Sequence, residues 1–163
     1  MPDHAAHPTT RGAPAGTDDY VAIQRLSNRY ADAVVRRDAD QWASCWAPDA
    51  VWDLGVGRDG QSRRVEGREA IVALWTSAMA GMAAVVQNVL NGEAWSVDGQ
   101  PDRATGRWYI NERFRRANGV VGILLADYND EYVRADAGWL FTYRTLQVHY
   151  QGPPDLSAEF LNR

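Results

Sequence analysis

A single cysteine, Cys45, leaves no partner for an internal disulfide in this chain of 163 residues. Its setting, "ASCWA", reads as a packed helical thiol. Histidine is nearly as scarce. His4 and His7 lie near the start and His149 stands alone, so no spacing suits a metal site. Glycine patterns that cradle phosphate or dinucleotide are missing, and no cofactor is expected. The opening "MPDHAAHPTTRGAPAGT" lacks a charged start followed by an apolar core. It is therefore not read as a secretion signal, and its Pro, Gly, Ala and Thr content predicts a flexible arm over residues 1–16. No apolar run approaches membrane-spanning length. The net charge is −4, with neither a basic stripe nor a basic tail. That excludes a generic binder of nucleic acid or of an anionic membrane, because both need a positive surface. A cytoplasmic protein is the expectation.

What is present suits one domain. The length can bury a sizeable core, and 45% of residues are hydrophobic. Thr17, Asp18 and Asp19 look like a helix start, a cap followed by acids. Ile23, Leu26, Tyr30 and Val34 then repeat at helical spacing. Asp38 suits the cap of a short helix, "ADQWASCWA", ended by Pro48. "AVWDLGV" reads as a strand with Trp52 and Leu54 on one face, and "GRDGQSRR" as a polar connection. Gly67 opens another helix, "REAIVALWTSAM". Four long strands follow, over about 83–97, 103–116, 120–135 and 138–151, separated by "VDGQPD", "ANG" and "ADAG". Helices first and antiparallel strands afterwards predict an α+β domain over 17–157, with a tail at 158–163. A strongly curved sheet wrapped on three N-terminal helices would enclose an apolar hollow of the kind that takes small ligands.

Two charges interrupt apolar rows. In "GRWYINERF", Trp108, Ile110, Glu112 and Phe114 share a strand face. In "LFTYRTLQVHY", Leu140, Thr142, Arg144, Leu146 and Val148 do the same. An ionised carboxylate buried alone costs several kcal/mol, so Glu112 is expected to be paired or protonated. Arg144 stays charged under ordinary conditions. The two are expected to lie close together, or to be bridged by water or ligand. They then form either a structural ion pair or a proton-transfer group with an oxyanion clamp.

"YADAVVRRDADQWASCWAPDAVWDLG", "EGREAI", "ATGRWYINE", "DEYVRADAGWLF" and "VHYQGPPDLS" together resemble the polyketide-cyclase-like (SnoaL-like) group of the nuclear transport factor 2-like superfamily. The resemblance spans roughly residues 20–157. It implies a cone of helices closed by a bent sheet. The nearest branch is that of scytalone dehydratase, hexachlorocyclohexane dehydrochlorinase and bile-acid 7α-dehydratase. Its members use an Asp late in the first helix to orient a His base on the first long strand. Matched without gaps, those positions are Val35 and Gln87 here, so both halves of the dyad are absent.

The resemblance also implies that Tyr30, Trp52, Ile110, Glu112, Leu124, Tyr128, Arg144, Leu146 and Val148 line a pocket, with Leu54, Val35 and Gln87 beside them. Tyr30, at the pocket edge of the first helix, is a catalytic candidate whose phenol could polarise a carbonyl or hydroxyl, and the same reading applies to Tyr128. For Tyr30, Tyr128 and Trp52, ordinary core packing is the alternative. Asp32 is a further candidate acid, although its spacing from Arg29 and Arg36 also suits exposed salt bridges. Asp127 and His149 read as structural or interfacial.

The expected function is cofactor-independent acid–base chemistry, of lyase or isomerase type, on a small hydrophobic polycyclic, steroid-like or terpenoid molecule. The alternatives are an epoxide hydrolase or cyclase using a pocket carboxylate, and a binding or assembly protein without catalysis. Relatives imply a homodimer or trimer.

Overall fold

The computed structural model describes residues 12–56 and 61–161, with the side chain of Val56 outside that description. Nine elements follow one another: α1 (Thr17–Arg36), α2 (Ala39–Ala43), β1 (Trp46–Val56), β2 (Ser62–Glu66), α3 (Arg68–Ala80), β3 (Met82–Val97), β4 (Gln100–Arg116), β5 (Val121–Ala135) and β6 (Gly138–Gly152). The strands form a mixed sheet in the order β2-β1-β6-β5-β4-β3. Among the described residues, only the β1–β6 pair runs parallel. The helices pack on its concave side, and α1 lies mainly against β3.

Local chemistry accounts for most of these boundaries. Asp38 caps α2 by accepting from the Gln41 N–H at 2.9 Å. Gly67 precedes α3 with φ at 84°, a conformation that glycine adopts without strain. The start of α1 differs from expectation. Gly16, not Thr17, holds the N-cap position, and no side chain caps it. Residues just before it are tied down: Gly12 N–H donates to Ser96, Ala15 N–H to Ala94, and Ser96 N–H back to Ala13. The end of the expected arm is thus an added edge on β3; residues 1–11 lie outside the described residues.

Two stretches of backbone depart from the simple reading. The short helix stops at Ala43 and β1 starts at Trp46, so Pro48 lies inside a strand. A register shift between Trp46 and Val51 accommodates it, because a proline cannot donate to the ladder. Of "GRDGQSRR", read as a polar connection, residues 57–60 lie outside the described residues, and Ser62, Arg63 and Arg64 belong to the edge strand β2, which pairs with β1. Its pattern is hidden because nearly every residue there is exposed, leaving no buried face to alternate with.

The core is aromatic. Trp42 stacks on Trp75 at 4.7 Å and also touches Trp46, Trp52 and Tyr30. Trp108 donates its indole N–H to the Tyr132 hydroxyl at 2.9 Å. Gly92 is needed beside it, since a Cβ there would overlap the Trp108 ring.

Candidate functional site

The register of the sheet lays the concave face out as cross-strand rows. The first contains Gln87, Glu112 and Leu124, from β3, β4 and β5. The second contains Val89, Ile110, Ala126 and Val148. Trp108, Tyr128 and Leu146 make the third. The fourth contains Asp130, Arg144 and Trp52, from β5, β6 and β1. Glu112 and Arg144 therefore share a face but stand at opposite ends of it. Tyr30 comes down from α1 onto the Tyr128 and Phe141 rings, at 5.8 and 5.7 Å.

This layout corrects the expected pairing. Arg144 binds Asp130 through two parallel hydrogen bonds of 2.7 and 2.8 Å. Both side chains are sealed from solvent, at 1% and 0% exposure. The guanidinium also lies over the rings of Tyr128 and Phe141 at 3.8 Å and Tyr30 at 4.3 Å. Burial alone would lower its pKa, but the adjoining Asp130 carboxylate outweighs that and raises it. The Tyr132 hydroxyl donates to the same carboxylate at 2.8 Å.

Asp130 is the residue that sequence reasoning missed. The signal was available: Leu124, Ala126 and Tyr128 alternate along β5, and the next member is Asp130. Strict alternation along β6 sets Leu140 on the Arg144 face. The structure turns Leu140, paired with Val133, away from it. The same rule would set Phe141 on the opposite face. A bulge moves it: Tyr143 pairs with Glu131, whereas Phe141 pairs with inward-facing Tyr132.

Glu112 has a different environment. Gln87 Nε2 donates to its Oε2 at 2.9 Å and to the Tyr128 hydroxyl at 3.3 Å. Gln87 thus joins the carboxyl to the aromatic end of the site. Burial raises the Glu112 pKa, and the Gln87 hydrogen bond opposes part of that rise. Burial likewise raises the phenols of Tyr30 and Tyr128, so both are hydroxyl donors at neutral pH.

Glu112 nevertheless retains partial exposure, as do the apolar Leu54, Val89, Leu146 and Val148. Ile110, Leu124 and Trp52 are buried behind them. The concave face is therefore open and apolar around Glu112, and closed around Arg144.

The raised carboxyl has a stability consequence. A group whose folded-state pKa exceeds its unfolded value contributes fully below the unfolded pKa, and that contribution is lost as pH rises through the folded pKa. Glu112→Gln removes the loss. Relative to wild type, the variant should gain melting temperature between pH 4 and pH 8, by about 2–4 °C for each kcal/mol involved. Differential scanning calorimetry at the two pH values measures it, and an unchanged gap contradicts the assignment.

Two expected members stand apart. Asp32 is exposed and binds Arg36 at 3.0 Å and Gln41 at 2.9 Å. Those contacts lower its pKa, the Gln41 hydrogen bond most. Val35 is 41% exposed near the end of α1. On the other face of the sheet, His149 Nε2 lies 2.6 Å from buried Asp127.

A family profile described as the SnoaL-like domain matches residues 16–145. The chain belongs to that family. Solved structures agree with the SnoaL-like fold. A proposed aromatic ring hydroxylase from Novosphingobium aromaticivorans is 26% identical, with a TM-score of 0.76 over 85% of this chain and 94% of that one. A proposed scytalone dehydratase from the same organism is 19% identical, with a TM-score of 0.72 over 87% and 90%. The type 2 hexachlorocyclohexane dehydrochlorinase LinA is 21% identical, with a TM-score of 0.70 over 88% and 92%. At these identities the dehydratase and dehydrochlorinase share the nuclear transport factor 2-like fold with this SnoaL-like chain. No curated protein matches it. Among the described residues, no helix is long and apolar enough to cross a membrane.

Proposed function

We propose that the chain is a cofactor-independent acid–base enzyme of lyase or isomerase type, acting on a small hydrophobic, polycyclic or terpenoid-like molecule. The observation that carries this reading is Glu112. It is a half-buried carboxyl with a raised pKa, on an open apolar face, linked through Gln87 to a phenol. A carboxyl poised nearer neutrality exchanges protons with carbon acids more effectively than an ordinary one.

In this reading Glu112 removes a proton from a carbon next to a carbonyl and later returns it or passes it on. The C–H electron pair moves toward the carbonyl carbon, and charge gathers on the oxygen. The Tyr128 hydroxyl, with Tyr30 beside it, donates to that oxygen. Gln87 occupies the position where the dehydratase-like branch carries its His, and positions Glu112 instead of taking a proton itself. Arg144, already matched to Asp130, holds the phenols through its stacked rings. The absence of lysine from the sequence removes Schiff-base chemistry as a competing route.

Proton exchange tests the reading before any natural substrate is known. The protein is incubated in D2O with a panel of cyclic and polycyclic ketones, and deuterium at the α-carbon is followed by NMR. Stereoselective exchange above background is expected for at least one fused-ring ketone. Background rates across the whole panel contradict the assignment.

A further inference from the structure

The face of the sheet opposite the site carries a groove of about 490 Å³. Val86, Val121 and Ile123 form its apolar floor, and Pro154 closes one side. In cross-strand register, Arg113 stands between Val86 and Ile123, and Arg115 stands beside Val121. Val86 and Val121 keep about half their surface in solvent. Among the described residues, neither Arg113 nor Arg115 meets a carboxylate. Two like charges side by side over exposed apolar surface suit an occupant that is both apolar and negative.

The chain itself carries a surface of that kind. After β6, residues 153–161 fold back as a strap on Tyr150. The Tyr150 hydroxyl donates to the Pro153 carbonyl at 2.8 Å and accepts from the Ala158 N–H at 3.2 Å. Phe160 packs on the Tyr150 ring at 4.8 Å, and the Leu161 N–H donates to the His149 carbonyl at 2.7 Å. So anchored, the strap holds Leu156, Phe160 and Leu161 out in solvent instead of burying them. Leu156 sits at φ of 61°, a left-handed conformation that costs any residue with a side chain. Asp155 and Glu159 place negative charge among these apolar groups. Hydrogen bonds from Ser157 hold the Asp155 carboxyl below its ordinary pKa, so it stays charged. Backbone strain that presents apolar side chains to water points to a surface made for contact.

We infer that the two surfaces meet between copies of the chain, in a two-fold dimer that lays the strap of each in the arginine groove of the other. Groove and strap lie side by side on one face. The first spans β3, β4 and β5, and the second rests on β6, the strand next to β5. An axis between them, running along the strands, exchanges them, so the contact is self-complementary and closed. Leu156, Phe160 and Leu161 then cover Val86 and Val121, while Asp155 and Glu159 face Arg113 and Arg115. Opposite charges placed in this way fix the register and reject wrong partners. The pairing uses none of the groups assigned to proton transfer, so it stands apart from the acid–base reading.

Sedimentation velocity of the full-length protein at micromolar concentration should give the mass of two chains. One variant reverses the groove, Arg113→Glu with Arg115→Glu, and another reverses the strap, Asp155→Arg with Glu159→Arg. Each should weaken self-association about tenfold or more, because like charges then oppose one another. Mixing the two variants should restore a dimer, since every strap then meets a groove of opposite sign. Circular dichroism checks that each variant is folded. If the groove reversal does not fold, Val86→Asp replaces it, with the same loss expected. A wild-type mass of one chain or of three overturns the pairing. So do folded variants that associate as wild type does, or a mixture of the two folded reversals that stays monomeric.

Discussion

Asp130→Asn should lower stability by about 3–5 kcal/mol, a large share of the roughly 5–15 kcal/mol that holds an ordinary domain folded. The substitution keeps the shape and removes the charge. Arg144 would then stand as a cation at 1% exposure with its carboxylate partner removed. Three aromatic faces remain around the guanidinium, but ring attraction alone, about 0.5–2 kcal/mol, does not replace a bidentate ion pair. The Tyr132 hydroxyl also loses its charged acceptor.

Urea unfolding should show the loss as a lower midpoint with an unchanged slope. Asp130→Leu combined with Arg144→Met should recover most of it, because an apolar pair of similar volume removes the stranded charge. A loss below about 1 kcal/mol for the single variant would mean that Arg144 reaches water, contrary to its burial.

Glu112→Gln should reduce proton exchange on an accepted ketone by about 10²–10⁴-fold, the usual contribution of a positioned acid–base group. The amide keeps the hydrogen-bonding shape beside Gln87 and cannot carry a proton. Ligand affinity should therefore hold while turnover falls, which separates a chemical role from a packing role. Asp32→Asn serves as the contrast. That carboxylate is exposed and bound to Arg36 and Gln41, and no hydrogen bond or ring contact joins it to Glu112 or Arg144. A Glu112→Gln enzyme with full turnover would remove this residue from the chemistry.

The parts of the site written in strict alternation were legible before the structure. Trp108, Ile110 and Glu112 share the concave face of β4, as the period of two requires. The inward position of Arg144 followed from the same rule, but its partner did not. A charge that breaks an apolar row stands out in a sequence, whereas Asp130 lies within the polar run "YNDEY". Cross-strand register, which a sequence does not display, then placed Asp130 opposite Arg144 and set Glu112 three rows away.

Phe141 shows the other limit. A bulge adds one residue to one strand and exchanges its faces, and nothing in "WLFTYR" announces it. Asp38 and Gly67 were readable because caps act through neighbouring atoms alone. β2 was not, because its pairing with β1 is a long-range event on an exposed edge.

The protonation of Glu112 links the structure of the site to the proposed chemistry most directly. Carbon-13 labelling of glutamate side chains, with Glu112→Gln to assign the signal, allows its carboxyl to be titrated by NMR. Chemistry at this carboxyl requires a midpoint above that of an ordinary exposed glutamate, and a further rise when Gln87→Leu takes away the opposing N–H. A midpoint at or below the ordinary value, unmoved by that second substitution, would contradict it.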